Sequence, residues 1–197
     1  NGEATRGTPL TAQDAPRPVD PYGVSKLEAE STLTTLASQH SLEVGIFRSP
    51  VVYGEGVGGN IHRIASLVSR GVPLPLGLVR NRRTMLSASN LVRWMLPSVN
   101  PDHLDLTPVL MGDPRAISTP DLVRALASGM GRPARLLSVP VPVLSGAASV
   151  VGRAADASRL LDDLEISVPA RTAEELELKE TYVEMEQFGR LFEESRR

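Results

Sequence analysis

The chain has 197 residues, 41% of them hydrophobic, and a net charge of −2, enough apolar length for one globular unit with a substantial core. That balance, with no basic cluster beyond the "RNRR" of residues 80–83, gives no electrostatic reason for a nucleic-acid partner or an acidic membrane surface. The lack of cysteine excludes disulfides, thiolate metal sites and cysteine nucleophiles. The scattered His40, His62 and His103 make no metal site, and "VPVPVLSGAASVV" is too short and proline-broken to span a bilayer, so a cytoplasmic location is expected.

The chain opens at Asn1 in a Gly/Pro/Thr-rich stretch and reads as the later part of something longer. Asp20 is a good N-cap and Pro21 suits the first helical position, which predicts a helix from there to about His40. On a 3.6-residue period Tyr22, Lys26, Ala29, Leu33, Leu36 and Ala37 share a sector about 100° wide, expected to face the core. "LEVGIFRSPVVYG", residues 42–54, has the β-branched run and glycine stop of a buried strand. The turn "GEGVGG" then opens a helix from about Asn60 to Arg70, with Ile61, Ile64, Ala65 and Val68 inward. Prolines 73 and 75 make "GVPLPLG" an extended connection.

A short strand near residues 83–87 is expected to lead into the helix "SASNLVRWML", ended by Pro97, and "LTPVLMG" (106–112) is a further strand candidate. "STPDLVRALASGMG" carries helix signals at both ends: Ser118 or Thr119 as cap, Pro120 in the first turn, glycine at the close. "ARLLSV" reads as a strand running into an Ala/Leu-rich helix at about residues 142–161. From Thr172 a capping-box pattern, Thr172 with Glu175, opens a segment with eight glutamates against four basic residues from Glu174 onward. It reads as one exposed amphipathic helix, packing lightly through Leu176, Tyr182 and Phe188 or else docking a partner.

The chemistry starts at "DPYGVSKLEAE", residues 20–30, because lysine is scarce: of the 21 basic residues only Lys26 and Lys179 are lysine. Tyr22 and Lys26 stand one helical turn apart. A phenol with its ordinary pKa of about 10 must come down by about 3 units, or about 4 kcal/mol, to act as a base at neutral pH. An ammonium about 4 Å away supplies about 4 kcal/mol at an effective dielectric near 20. The bland alternative is a snorkelling lysine beside a locally bonded tyrosine.

"NGEATRGTPLTAQDAPRPVDPYGVSKLEAE", "FRSPVVYGEGVGGNIHRIASLV" and "RRTMLSASNLV" together resemble the second half of an NAD-dependent epimerase/dehydratase, an extended short-chain dehydrogenase/reductase. The nearest group in appearance is the bacterial UDP-sugar 4-epimerases, over roughly residues 1–168. The resemblance implies an α/β fold: the later part of a Rossmann-like, doubly wound parallel sheet plus a small α/β substrate-binding domain, with the N-terminal dinucleotide-binding half and its glycine-rich loop absent. It suggests a division into residues 1–58, the Rossmann remnant with the Tyr/Lys helix; 59–168, the sugar-nucleotide region; and 169–197, the acidic helix.

By the same resemblance, Tyr22 is the acid/base and Lys26 binds the nicotinamide ribose of NAD. Pro50 and Val51 contact the nicotinamide through backbone, and Asn60 and Arg83 bind the diphosphate of a UDP-sugar. Read as residues alone, Asn60 stays open as an ordinary helix cap and Arg83 as a surface arginine in a basic turn. Arg153, in "GRAADASRL", offers a further nucleotide contact outside this set. Where relatives read something like "VHVDNL" the chain has "LSASNL", with Ser87 and Ser89 in place of a histidine and an aspartate. The expected function is UDP-hexose 4-epimerisation through a 4-keto sugar, inactive in these residues alone. The alternatives are a dehydratase, reductase or decarboxylase of the same scaffold, or a non-catalytic nucleotide-sensing or partner-binding relic. Val24 and Leu27, off the expected core face, leave room for a homodimer through the 21–40 helix.

Overall fold

The computed structural model describes residues 4–5, 7–40, 42–56, 58–99 and 107–196, with the backbone alone for 98, 99, 155 and 156. Helix α1 (Pro21–His40) leads to two short strands, β1 (Phe47–Arg48) and β2 (Val52–Tyr53), and then to α2 (Asn60–Ser69). β3 (Leu86–Ser87) runs directly into α3 (Ala88–Met95) and a 3₁₀ turn, Leu96–Val99, which contains Pro97. β4 (Val109–Leu110), α4 (Thr119–Gly129), α5 (Val141–Val150), α6 (Ala154–Leu161), α7 (Ala170–Glu175) and α8 (Thr181–Glu194) complete the order.

Both strand pairs are parallel, β1 with β4 and β2 with β3. The single strand expected over residues 42–54 is therefore two, and the chain changes partner between them. Pro50 sits at the change: it has no N–H to give a ladder, so pairing stops at Arg48 and resumes at Val52. The "ARLLSV" and "GVPLPLG" stretches pair through a Leu74 to Leu136 bridge, with Leu74 N donating to Arg135 O at 2.8 Å and Gly77 N to Leu137 O at 2.9 Å.

The main core is helical. Ile61, Ile64, Ala65 and Val68 of α2 are buried as their spacing predicts, against Leu122, Val123, Ala125 and Leu126 of α4. Ser118 is the cap of α4, its hydroxyl accepting from Asp121 N.

The C-terminal segment differs most from expectation. The single exposed acidic helix is two helices, α7 and α8, separated by a turn in which Glu177 takes φ 51°. Thr172 lies inside α7, not at its cap; Pro169 holds that position and Glu175 bonds Arg171 instead. Met185, Phe188 and Phe192 of α8 are core residues, while Tyr182 is 44% exposed. Gly129 and Gly189 let α4 and α8 cross closely: a Cβ on Gly189 would lie 2.5 Å from the Leu126 carbonyl oxygen, and one on Gly129 would overlap that of Glu186. The glutamates cover the outer side of a helix whose apolar stripe completes the core.

The helix expected over 142–161 is likewise interrupted, at Gly152 with φ 70°, between α5, which has no buried residue, and α6. Helix α1 presents Gly23, Leu27, Glu30, Thr34 and Ala37 to the body, about one residue round from the predicted stripe. Two contacts set this rotation. Gly23 lies where a Cβ would come 2.9 Å from Pro18 Cβ, and the Glu30 carboxylate takes bonds from Arg48 Nε at 2.9 Å and NH2 at 2.7 Å. Consequently Tyr22, Lys26, Ala29, Leu33 and Leu36 are exposed, Tyr22 by 70%; of the predicted stripe Ala37 alone is buried. Leu27 is half-buried against the body and Val24 is exposed.

Candidate functional site

A cleft of about 780 Å³ opens between α1 and the helical core. Its walls come from the N-terminal turns of α1, the β1–β2 link, the start of α2, the 83–85 segment and the end of α6. All six candidate residues, Tyr22, Lys26, Pro50, Val51, Asn60 and Arg83, line it. The 49–51 link between β1 and β2 shares this wall with the N-terminal turns of α1 and the start of α2.

Asp20 caps α1, its Oδ1 accepting from Gly23 N at 2.6 Å. One turn on, the Lys26 ammonium stands 5.1 Å from the centroid of the Tyr22 ring, over its face. Asn60 is the first residue of α2, and the cap position belongs to Gly59 at φ 95° without a side-chain cap bond. The ordinary capping role for Asn60 is thereby excluded, and its side chain is left to the cleft, beside a helix N-terminus whose first N–H groups have no intrahelical acceptor.

Arg83 is not a surface arginine. It is 6% exposed, its backbone exchanges hydrogen bonds with Ile117 (3.0 and 2.9 Å), and its guanidinium NH1 donates to Asp162 O at 2.8 Å. Burial pushes the guanidinium below its ordinary pKa, against the opposing pull of Asp162 and Asp163. No carboxylate pairs with it among the described residues. A buried cation in that state is disposed toward an anion.

Arg159 is a cleft residue that sequence reasoning missed. "GRAADASRL" does reach the cleft, but Arg153 is exposed at the start of α6 while Arg159, near its end, lines the wall. Arg159 NH2 approaches Asp20 Oδ2 at 3.5 Å. Buried Asn81 fixes this wall: its Nδ2 donates to Leu160 O and Thr119 Oγ1, both at 3.0 Å, and its Oδ1 accepts from Thr119 N at 2.9 Å. The break at Gly152 that brings Arg159 round is a property of helix packing, which the local spacing of arginines does not carry.

Ser87 and Ser89 lie outside the cleft. Ser87 caps α3 and Ser89 Oγ donates to Glu184 Oε2 at 2.5 Å, joining α3 to α8. Among the described residues no group of His, Asp and Glu could hold a metal ion, and no helix is long and apolar enough to cross a membrane. His103 and the start of the 106–112 strand candidate lie outside the described residues.

The wall bearing Tyr22, Lys26, Pro50 and Val51 fits one end of a nicotinamide dinucleotide. It offers an ammonium and a phenol for ribose hydroxyls beside an apolar ledge, where Val51 is 41% exposed and its carbonyl is tied to Leu86 N at 3.1 Å.

A family model, described as the NAD dependent epimerase/dehydratase family, matches residues 2–101. A UDP-glucose 4-epimerase of Vibrio cholerae is 35% identical over 170 residues, 85% of this chain and 52% of that protein. The chain thus spans about half the length of this curated relative. Among solved structures, UDP-glucuronic acid 4-epimerase from Bacillus cereus, in complex with NAD, superposes with a TM-score of 0.71 at 15% identity over 98% of this chain and 58% of that one. The dTDP-glucose 4,6-dehydratase of Bacillus anthracis, also in complex with NAD, gives 0.69 at 15% over 98% and 58%. At such identity these two show the fold, an α/β Rossmann-type architecture.

Proposed function

The chain belongs to the NAD-dependent epimerase/dehydratase family, and from that premise we propose that its cleft is the substrate side of a UDP-hexose 4-epimerase site. One observation carries the reading. The tyrosine–lysine pair and the anion-seeking groups Asn60, Arg83 and Arg159 open into one cavity of about 780 Å³, large enough for a sugar nucleotide.

In this reading the diphosphate lies between the α2 N-terminus, with Asn60, and the Arg83 and Arg159 guanidinia, where charge-assisted bonds are strongest. That anchoring directs the hexose toward Tyr22. Tyr22 takes the proton from the 4-hydroxyl as the carbon is oxidised and returns it when the 4-keto sugar, turned over, is reduced on its other face. Lys26 holds ribose hydroxyls, and the Pro50–Val51 ledge orients the flat ring. NAD, when bound, supplies the hydride acceptor and donor. The diphosphate anchors hold the nucleotide while the sugar rotates. Exposed Val24 keeps pairing of two copies through α1 within the proposal.

Because the chain spans about half its curated relative, binding is a more decisive readout than turnover. Calorimetric titration with UDP-glucose is expected to show binding that weakens at least about 10-fold in Arg83→Met, while Tyr22→Phe binds normally. In a turnover-competent assembly Tyr22→Phe should lower kcat by about 10²-fold or more without raising KM. UDP-glucose binding that ignores Arg83→Met in a folded variant would overturn the assignment.

A further inference from the structure

A second concavity, of about 590 Å³, shares no lining residue with the cleft and lies behind the segment that carries Arg83. The two segments serve both hollows: Arg83 and Thr119 line the cleft, whereas Arg80, Asn81, Arg82, Ile117 and Ser118 line the second pocket. The backbone pair of Arg83 with Ile117 forms the wall between them.

Four guanidinia, those of Arg80, Arg82, Arg115 and Arg124, face this pocket. Their mutual repulsion is relieved unequally. Arg82 makes a two-bond pair with Glu165, at 2.9 and 2.6 Å, and Arg124 bonds Asp121 at 2.6 Å. Arg115 has Glu180 at 3.5 Å through a single nitrogen, and among the described residues no hydrogen bond or ion pair engages Arg80. Unspent donors therefore remain on Arg80 and Arg115, from separate segments of the chain, with the exposed Tyr182 ring on the same lining.

We propose that this pocket is a second anion site, taking a phosphate-type polyanion between Arg80 and Arg115. The planar fork of guanidinium matches phosphate oxygens, while Arg82 and Arg124 stay in their pairs and add attractive field. The anion is either free or the phosphate end of a nucleotide. Being open to solvent, the site weakens as salt rises.

Calorimetric titration with inorganic pyrophosphate at low ionic strength tests it. Two sets of sites are expected, one lost in Arg83→Met and the other weakened at least about 10-fold in Arg80→Ala/Arg115→Ala. Arg115 is 80% exposed and Arg80 is exposed, so the double variant should keep the parent's unfolding midpoint. ADP in place of pyrophosphate separates the sources: equal affinity points to phosphate alone, and tighter binding that Tyr182→Ala removes points to a nucleotide. Pyrophosphate binding unchanged in the double variant overturns the proposal and leaves the cleft reading intact. Loss confined to the double variant, with UDP-glucose indifferent to Arg83→Met, sinks the cleft reading instead.

Discussion

Asp113 is a carboxylate almost without water, 1% exposed between α3 and the core. It accepts from Tyr53 OH at 2.9 Å, Ser87 N at 3.0 Å and Asn90 Nδ2 at 2.8 Å. Burial outweighs those bonds and pushes its pKa up to about 6, with nearby Glu184 acting in the same direction. The folded chain thus keeps a proton that the unfolded chain releases from about pH 4. This group's contribution to stability is most favourable below that pH, declines as pH rises toward 6, and is then worse by about 3 kcal/mol. Asp113→Asn keeps the acceptor toward Ser87 and Asn90 and gives Tyr53 a donor. Urea unfolding at pH 4 and pH 7 should show the parent losing about 2 kcal/mol relative to this variant over that span. Equal pH dependence in the two would refute it. Asn81 is the complementary case, a buried amide used at both ends; Asn81→Ala should cost about 2–3 kcal/mol in the same assay by stranding Thr119 N, while Leu160 O keeps its bond from Thr119 Oγ1.

Helices α4 and α8 meet through glycine, so their backbones touch where side chains would otherwise stand. Gly189→Ala should lower stability by about 2–3 kcal/mol, because the methyl meets a carbonyl and not a yielding side-chain tip. A midpoint shift under about 1 kcal/mol equivalent would show that the helices can separate at little cost. This contact also marks where sequence and structure part. Helices α2 and α4 were legible, since an apolar stripe and cap residues said the same thing. In α8 the packing of Phe188 was anticipated, but the glutamates concealed Met185 and Phe192, whose burial depends on a distant partner, α4. The rotation of α1 was not legible, because Gly23 and Glu30 decide it through Pro18 and Arg48. Tyr22, Lys26, Pro50, Val51, Asn60 and Arg83 were legible through family pattern; Arg159 was not, because the turn at Gly152 brings it to the cleft.

At the level of the whole molecule the cleft joins a tightly packed part to a loosely held one. α4, of 11 residues, has seven buried, whereas α1, of 20 residues, has Ala37 alone. The Glu30–Arg48 pair, the Asp20 cap and the 3.5 Å Arg159–Asp20 contact are among the links that fasten α1. Local opening should therefore be cheap in α1 and close to global unfolding in α4. Amide hydrogen exchange is expected to be fastest in α1 and to slow there on addition of UDP-glucose, which bridges the two parts in the proposed reading. Uniform protection across α1 and α4 would contradict this.

The scarcity of lysine has a practical consequence. Lys26 lies over the Tyr22 ring at the cleft, and Lys179 stands 3.4 Å from Glu184 Oε1, a buried oxygen without a hydrogen-bond partner. Reductive methylation with isotopically labelled formaldehyde would place reporters on two side-chain amines, one at each of these places. A carbon–proton spectrum would then follow the cleft and the seat of α8 separately in one sample. Titrating it would read the cleft ammonium's own ionisation directly, and adding a sugar nucleotide should move the Lys26 signal while leaving that of Lys179 in place.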